Sequence, residues 1–577
     1  MYIAGIDVGG TNTDAALIRG DAVVATAKVP TDHTHLIAST MAALEAVLSG
    51  YEGSEPLELH LSTTLSTNAI IEGKGEPVAV LAVPGPGMRV EQLDPGFPVE
   101  VLTGSVDHRG REVAGLTPGE VETALIAASK AERVALAVVG KFSHRNPTHE
   151  LEIEGMAKAA YPEFRHITLG HRLSGRPNFP RRLATSYLNA SVAGQQALFV
   201  EMVQSLMIQG RNISGVFLLK ADGGTMTLRD SLIRPVETIL SGPAASIMGA
   251  QALTNYSQDN AVIVDIGGTT TDIAVQIRGD AVFQRQGAEI ASHKTLVPAL
   301  FARSIGLGGD SEVRVEPGRG DGENPWQLQI GPRRAGMPAA LGGSQPTPTD
   351  AAVTMGLAAV GDTSKAREAV AHVGRAVGLE VEAAAQCIID RFAHQLMQEI
   401  EATYAYLESR PVYTVSELLA PQDIRPQVIV GLGGPAEVFI PLAAQSMGLA
   451  WEILPYYKEA NAVGAAASRP TAAVTLHADT ALGTITVPEM DHMGDIDKPM
   501  FFDMRAARAE AVQWAASKGA DLGITSLEDI AIVEEESFNM VRGFHTTGRI
   551  FTIRAQVRPG VRRVTVSGEE GRLHESQ

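Results

Sequence analysis

Short apolar runs alternate with amphipathic stretches along most of the chain. The opening YIAGIDV, TNTDAALIR and AVVATAKV predicts strands over 2–8, 11–19 and 22–29, joined by glycine turns at Gly9-Gly10-Thr11 and Arg19-Gly20-Asp21. A helix is expected at about 35–49. LELHLSTTL reads as a strand running into STNAIIEGKG, and PVAVLAVPG and VALAVVGKFSH (134–144) read as buried strands. From Pro180 an Ala-rich amphipathic stretch predicts one long helix ending at Gly210, followed by the strand-like GVFLLKADGG. SGPAASIMGA (241–250) predicts a helix start, with Ser241 as cap and Pro243 in the first turn. AVIVDIGGTTTDIAVQI again reads strand, turn, strand. The Gly- and Pro-rich residues 306–350 predict loops, and an Ala-rich helical region covers about 351–409. QVIVGLGGPAEV (427–438) returns to strand, glycine turn and helix. Strands and helices alternating in this way predict an α/β architecture.

The chain has 577 residues, too many for one hydrophobic core, so two to four domains are expected. Composition shifts after about 472, where a helix near 504–518 and hairpin-like segments to Val566 predict a separate small domain with a disordered tail. The expected division is 1–240, 241–470 and 475–577. A formal charge of −19 without any basic stretch excludes a nucleic-acid or anionic-membrane partner. Cys387 is the sole cysteine, which rules out an internal disulfide and cysteine-held zinc or iron–sulfur sites, and it reads as core. No apolar run approaches the roughly 18 residues of a membrane span, and Asp7 interrupts any leader-like start. A cytoplasmic protein is expected.

The phrase D-x-G-G-T-x-T-D occurs at Asp7–Asp14 and again at Asp265–Asp272, each time after a short apolar strand. Two copies so far apart suggest two similar domains, each giving one loop. Gly9-Gly10 and Gly267-Gly268 let the backbone turn tightly and bring its N–H groups close to an anion. Thr11, Asn12, Thr13, Thr269, Thr270 and Thr271 complete the two loops, the threonines at 11, 13, 269 and 271 as hydroxyl donors. Asp7 and Asp265 end their strands, where a carboxylate can hold the water shell of Mg²⁺. Two such loops facing across a cleft would clamp a triphosphate. In a third loop, Gly433, Gly434 and Pro435 follow a strand and precede a helix, which suits a base and ribose. Walker A, G-x-S-x-G and H-E-x-x-H motifs are absent.

Phosphate loop, SGPAAS helix, phosphate loop, Gly-Gly loop and NAVGAAA helix (461–467), in that order, resemble the superfamily of acetate and sugar kinases, Hsp70 and actin. The resemblance implies two RNase-H-like domains closing on ATP with small-residue helices crossing at the hinge, to which the segment after about 472 adds a small C-terminal α+β domain. STTLSTNAIIEGKG, FSHRNPTHE, HRLSGRPNFPRRLATSYLNA, DIGGTTTD, the GLGGD…GPRRAG…PTPTDA region and GLGGPAEVFIPLAAQSMG narrow it. Over about residues 2–470 these resemble the A-type, ATP-binding subunit of the hydantoinase/oxoprolinase family. That family usually has an aromatic where Asn12 stands, and its glycine run continues where this chain has Asp310 and Ser311. The resemblance implies ATP- and Mg²⁺-dependent opening of a cyclic amide (a hydantoin, 5-oxoproline or lactam), as an oligomer with a B-type subunit. The alternatives are a carboxylase subunit using carboxyphosphate, a small-molecule kinase, or an ATP-driven conformational protein.

Activating an amide by phosphorylation needs positioning and charge neutralisation, which Asp7, Asp265 and the loops would supply. Asp14 or Asp272 would orient or deprotonate the nucleophile, or else cap its own turn. Thr63, Thr64 and Asn68 form a polar cluster suited to substrate, or else Thr67 or Asn68 caps a helix over AIIEG. Asp310 and Asp350 are further candidates facing the cleft. Asp107, His108, His144 and His149 raise a metal site, but their irregular spacing reads as solvated histidines.

Overall fold

The computed structural model describes the chain except residues 33–35, 52–54, 208–211, 285, 318–325, 410–422, 521, 525 and 566–577. Strands Tyr2–Val8, Asn12–Arg19, Ala22–Pro30, Leu57–Thr63 and Ile213–Leu219 lie side by side in the order third, second, first, fourth, fifth. The second runs antiparallel to the first, while the first, fourth and fifth are parallel. Strands Ala261–Ile266, Thr271–Ile277, Asp280–Ala281, Val428–Leu432 and Ala450–Ile453 repeat that order and those directions. This is the RNase-H-like topology twice over, the two-domain architecture of actin, Hsp70 and the sugar kinases. Tyr2–Val8 is buried at every position, as expected of a central strand covered on both faces.

Between the fourth and fifth strands of the first unit the chain leaves to build another sheet. Val78–Val83, Glu100–Val101, Ala135–Gly140 and His166–Leu169 form it, and the helix Phe179–Met207 leads back. The expected end of that helix, Gly210, lies outside the described residues, as does the C-terminal tail. In the second unit the glycine- and proline-rich segment corrects the expectation of loops. Ser311–Pro317 and Trp326–Arg334 pair as an antiparallel hairpin, because Val313, Leu328 and Ile330 give it an apolar face that joins the core. Cys387 packs half-buried against that same core.

From Ala473 five antiparallel strands form the C-terminal sheet, and the helix Met504–Ala520 buries Ala507, Ala511 and Ala515 against it. The sheet docks on the inserted segment. Arg109 grips Asp479 with two bonds (2.8 and 3.0 Å), His171 meets Asp491 at 3.1 Å, and the Gly175 amide donates to Glu489 at 2.9 Å. None of these contacts involves the glycine loops. Among the described residues no helix is long and apolar enough to cross a membrane.

The helices Ser241–Leu253 and Ala460–Ala467 cross in contact between the two units. A methyl group on Gly464 would lie 2.5 Å from the Gly249 nitrogen, and one on Gly5, in the first central strand, 2.6 Å from the Ala466 nitrogen. Ser241 is not the cap of its helix: Leu240 takes that place in the left-handed region (φ 68°), and the Ser241 hydroxyl donates to the Thr63 carbonyl at 2.9 Å. Thr67 and Asn68 are likewise inside the helix Leu65–Ile71, whose cap position is Thr64.

Replacing Gly464 by Ala should cost about 1–3 kcal/mol of stability, the usual cost of overpacking. Gly155→Ala, at an exposed position of the helix Thr148–Ala160 where a methyl meets nothing within 4 Å, should instead stabilise by roughly 0.5–1 kcal/mol. Denaturant unfolding of the two variants checks the opposite signs.

Candidate nucleotide site

Both hairpin loops close the same way. The Gly9 amide donates to the Asn12 carbonyl (3.1 Å) and the Gly267 amide to the Thr270 carbonyl (2.9 Å). Gly10 and Thr11 are exposed at the first tip and Thr269 partly so at the second, while Thr270 is exposed. The third loop leans on the second: Gly433 has φ +89°, its amide donates to the Tyr457 carbonyl (2.8 Å), and a methyl there would lie 2.6 Å from Asp265 Oδ1. Only glycine fits that position. Gly434 faces open space and Pro435 begins the turn into the next helix.

Register places the carboxylates. Asp7 lies opposite Asp14, and Asp265 opposite Asp272, so each pair shares one face of its hairpin. Burial raises the Asp7 carboxyl to about 6, and the Asp265 carboxylate adds to the effect. Burial likewise raises Asp272 to about 7, with Asp265 again adding. Asp14 is raised by burial to about 7, although Lys28 pulls the other way. The Lys28 ammonium donates to both oxygens of Asp14 (2.7 and 2.9 Å) and to the Lys458 carbonyl (2.9 Å). The crossing helices supply the remaining contacts: Ser246 Oγ donates to Asp265 Oδ2 at 2.6 Å and Asn461 Nδ2 to the same oxygen at 3.2 Å. Asp7 Oδ1, Asp272 Oδ1 and Asn461 Oδ1 are buried without a protein partner. Acidic carboxyls that resist ionising together, beside orphaned oxygens, suit a hydrated divalent cation. Among the described residues no three His, Cys, Asp or Glu side chains gather as a metal cage, so such an ion would share its shell with water or phosphate.

Several expected site residues stand elsewhere. Thr13 and Thr271 are fully buried, on the strand faces opposite Asp14 and Asp272. Thr271 donates to the Leu307 carbonyl (2.6 Å). Thr31 donates to Gly9 O (3.0 Å), so Thr13 must be the donor to Thr31 (2.9 Å), and neither hydroxyl is left for an anion. Asp350 is a correction too. It is fully buried, caps its own helix with Thr347, and accepts from the Ala339 and Ala340 amides (3.0 and 2.8 Å). Thr63 is buried, with its hydroxyl accepting from the Leu65 amide, whereas Thr64 and Asn68 are half-buried beside the first loop and bonded to each other (3.3 Å). Asp310 does reach the second loop: its amide donates to the Gly268 carbonyl (2.7 Å) and its carboxylate receives Arg334 (2.8 Å). His144 and His149 are buried rather than solvated, and His149 faces Glu112 (2.9 Å). Sequence reasoning missed Lys28, Ser246, Asn461 and Arg334. The signal for Asn461 was its place as the lone polar residue of ANAVGAAA; Ser246 shares its helix with Ser241 and Gln251 and had no such mark.

Two RNase-H-like units with paired glycine loops and acidic strand ends give the chain the actin/Hsp70/sugar kinase fold. The sequence pattern of the hydantoinase/oxoprolinase family matches residues 182–474, and that of its N-terminal region matches residues 3–161. The chain belongs to this family. It is 25% identical over 502 residues to caprolactamase subunit alpha of Pseudomonas jessenii, covering 79% of this chain and 68% of that subunit. It is 26% identical over 395 residues to the acetophenone carboxylase gamma subunit of Aromatoleum aromaticum, covering 61% of this chain and 52% of that one. Two solved structures share the fold. The nucleotide-free structure of an acetone carboxylase that carboxylates in an ATP-dependent manner is 16% identical (TM-score 0.69, 97% of this chain and 87% of that one). ATP-dependent caprolactamase from Pseudomonas jessenii is 20% identical (TM-score 0.67, 97% and 88%).

The raised carboxyls give a test. A carboxyl that titrates above its ordinary value only when folded contributes stability that is complete below about pH 4 and lost as pH rises. For Asp272 the window runs from 3.8 to about 7. Asp272→Asn removes that titration, so its melting temperature should gain on wild type as pH climbs from 4 to 7. A constant offset between the two proteins across that range would show that Asp272 is not held protonated.

Proposed function

We propose that the chain is the ATP-binding subunit of an enzyme that opens a cyclic amide by phosphorylating its carbonyl oxygen. The observation that supports this reading is the electrostatic coupling of Asp7 to Asp265, each ending a strand before a glycine loop, with Asp7 Oδ1 and Asn461 Oδ1 buried and unpartnered. Bound ATP would supply the phosphoryl group, which turns a poor electrophile into one that water can open. Mg²⁺, bound by Asp7, Asp265 and Asn461 through its water shell, would supply positive charge that offsets the burial raising the Asp7 carboxyl.

The chain's own part is positioning. Backbone N–H groups of Gly10–Thr11 and Gly268–Thr270 would cradle the phosphates, and Gly433-Gly434-Pro435 would receive the adenosine. Ser246 and Asn461 fix Asp265 from the crossing helices. Lys28 binds both oxygens of Asp14 next to the first loop and works against the burial that raises its carboxyl. Thr64 and Asn68 remain the candidates for touching substrate, since both are accessible beside Val8. Lobes with boundaries near 240 and 470 would close on the nucleotide, and the C-terminal sheet would stand clear of it. A B-type partner subunit fits the subunit names borne by the two curated relatives. The acetophenone carboxylase match favours a second reading, in which bicarbonate takes the phosphoryl group instead of an amide.

ATP turnover against a panel of hydantoins, 5-oxoproline and lactams, with and without bicarbonate, separates the two readings. Asp7→Asn and Asp265→Asn should each lose on the order of 10²–10³ in turnover, since each removes charge stabilisation at the reacting phosphate. Both should melt near the wild-type temperature. The double variant should be little worse than the worse single one, because the two act on one unit. Full activity in either single variant would sink the idea of a shared site.

A further inference from the structure

We propose that Arg334 is a catalytic residue for phosphoryl transfer at the second loop, parked on Asp310 in the free protein and transferred to the moving phosphoryl group when a triphosphate docks. The proposal rests on the reading of the cleft as a phosphoryl-transfer site.

The geometry begins with the second loop's neighbour. The Gly309 amide donates to the Gly267 carbonyl (3.0 Å) and the Asp310 amide to the Gly268 carbonyl (2.7 Å), so the segment runs directly alongside the loop. Asp310 Oδ2 is so close that a methyl group on Gly268 would lie 2.6 Å from it. A carboxylate at a phosphate loop repels the ligand the loop is built for, unless a cation cancels it. Arg334 Nη2 stands 2.8 Å from that same Oδ2.

Arg334 is held there by its backbone. Ser311 pairs with Arg334 across the hairpin, and the Ala335 amide donates to the Asp310 carbonyl (2.9 Å). Its side chain is 35% exposed, against 13% for Asp310, so the guanidinium has room to turn and the carboxylate has little. Of a guanidinium's five donors, Nη2 is the one engaged by a carboxylate here, which leaves a fork for phosphate oxygens. Lys28, the cation beside the first loop, cannot play this part. Its three donors are already spent on the two oxygens of Asp14 and the Lys458 carbonyl.

In the step, the bond from the γ-phosphorus to the bridging oxygen breaks and its electron pair stays on ADP. The acceptor oxygen supplies the pair for the new bond. Arg334 donates hydrogen bonds to the non-bridging oxygens, where charge builds, and is itself unchanged. Such a contact strengthens between ground state and transition state, so it should appear in turnover rather than in ATP affinity.

The test uses the full chain with Mg-ATP affinity, turnover, and affinity for ADP with aluminium fluoride, a mimic of the phosphoryl group in flight. Arg334→Ala should lose on the order of 10²–10³ in turnover and a similar factor in ADP–aluminium fluoride affinity, while ATP affinity stays within about threefold. Arg334→Gln, which can keep its bond to Asp310, should show the same losses, and Arg334→Lys should recover part of them. Asp310→Asn should bind ATP more tightly, because the repelling carboxylate is gone. Equal losses of ATP and ADP–aluminium fluoride affinity, or wild-type turnover in Arg334→Ala, would overturn the assignment while the wild-type chain still binds ATP. A wild-type chain that binds no ATP would overturn the cleft reading and this proposal with it.

Discussion

The close approach of two small-residue helices is the contact on which the rest of the molecule depends. Ser241–Leu253 belongs to the connection between the units and Ala460–Ala467 follows the last strand of the second unit, yet they touch backbone to backbone at Gly249 and Gly464. The second helix also lies on Gly5 of the first unit's central strand. One element of eight residues therefore packs against both halves, and larger side chains would drive them apart. That same closeness delivers Ser246 and Asn461 to Asp265. Core packing and site geometry are set by one contact.

Around that contact the electrostatics are unfavourable on purpose. Strand register opposes Asp7 to Asp14 and Asp265 to Asp272, and burial holds three of these four carboxyls above their ordinary range. Lys28 balances one of them. A bound cation would ease these raised carboxyls, and functional sites are where such strain collects.

Much of this was legible in the sequence. Apolar strands ending in D-x-G-G-T stand out because a central strand is apolar on both faces and the phrase recurs. The hairpin Ser311–Pro317 with Trp326–Arg334 was hidden because glycine and proline between its strands masked a short alternation. Asp350 carried a readable sign, Thr347 three residues before it, which is the capping-box spacing. Thr13 and Thr271 could have been set aside on alternation alone, since a neighbour of Asp14 or Asp272 points the other way. The bond from Asn461 to Asp265, 196 residues apart, has no local trace. Nor does local pattern say that Val78–Val83 starts a separate sheet instead of extending the first.

Gly433 has one more implication. A methyl group on it would run into the Ile266 backbone and the Asp265 carboxylate, and its amide donates to Tyr457. The third loop and the acidic strand end are therefore packed directly on each other. A ligand in the third loop that shifted this packing would change the affinity of the Asp265 site, and by thermodynamic reciprocity the dependence would run equally in both directions. Two ligands gripped at opposite ends of this cleft would report on each other through a single glycine.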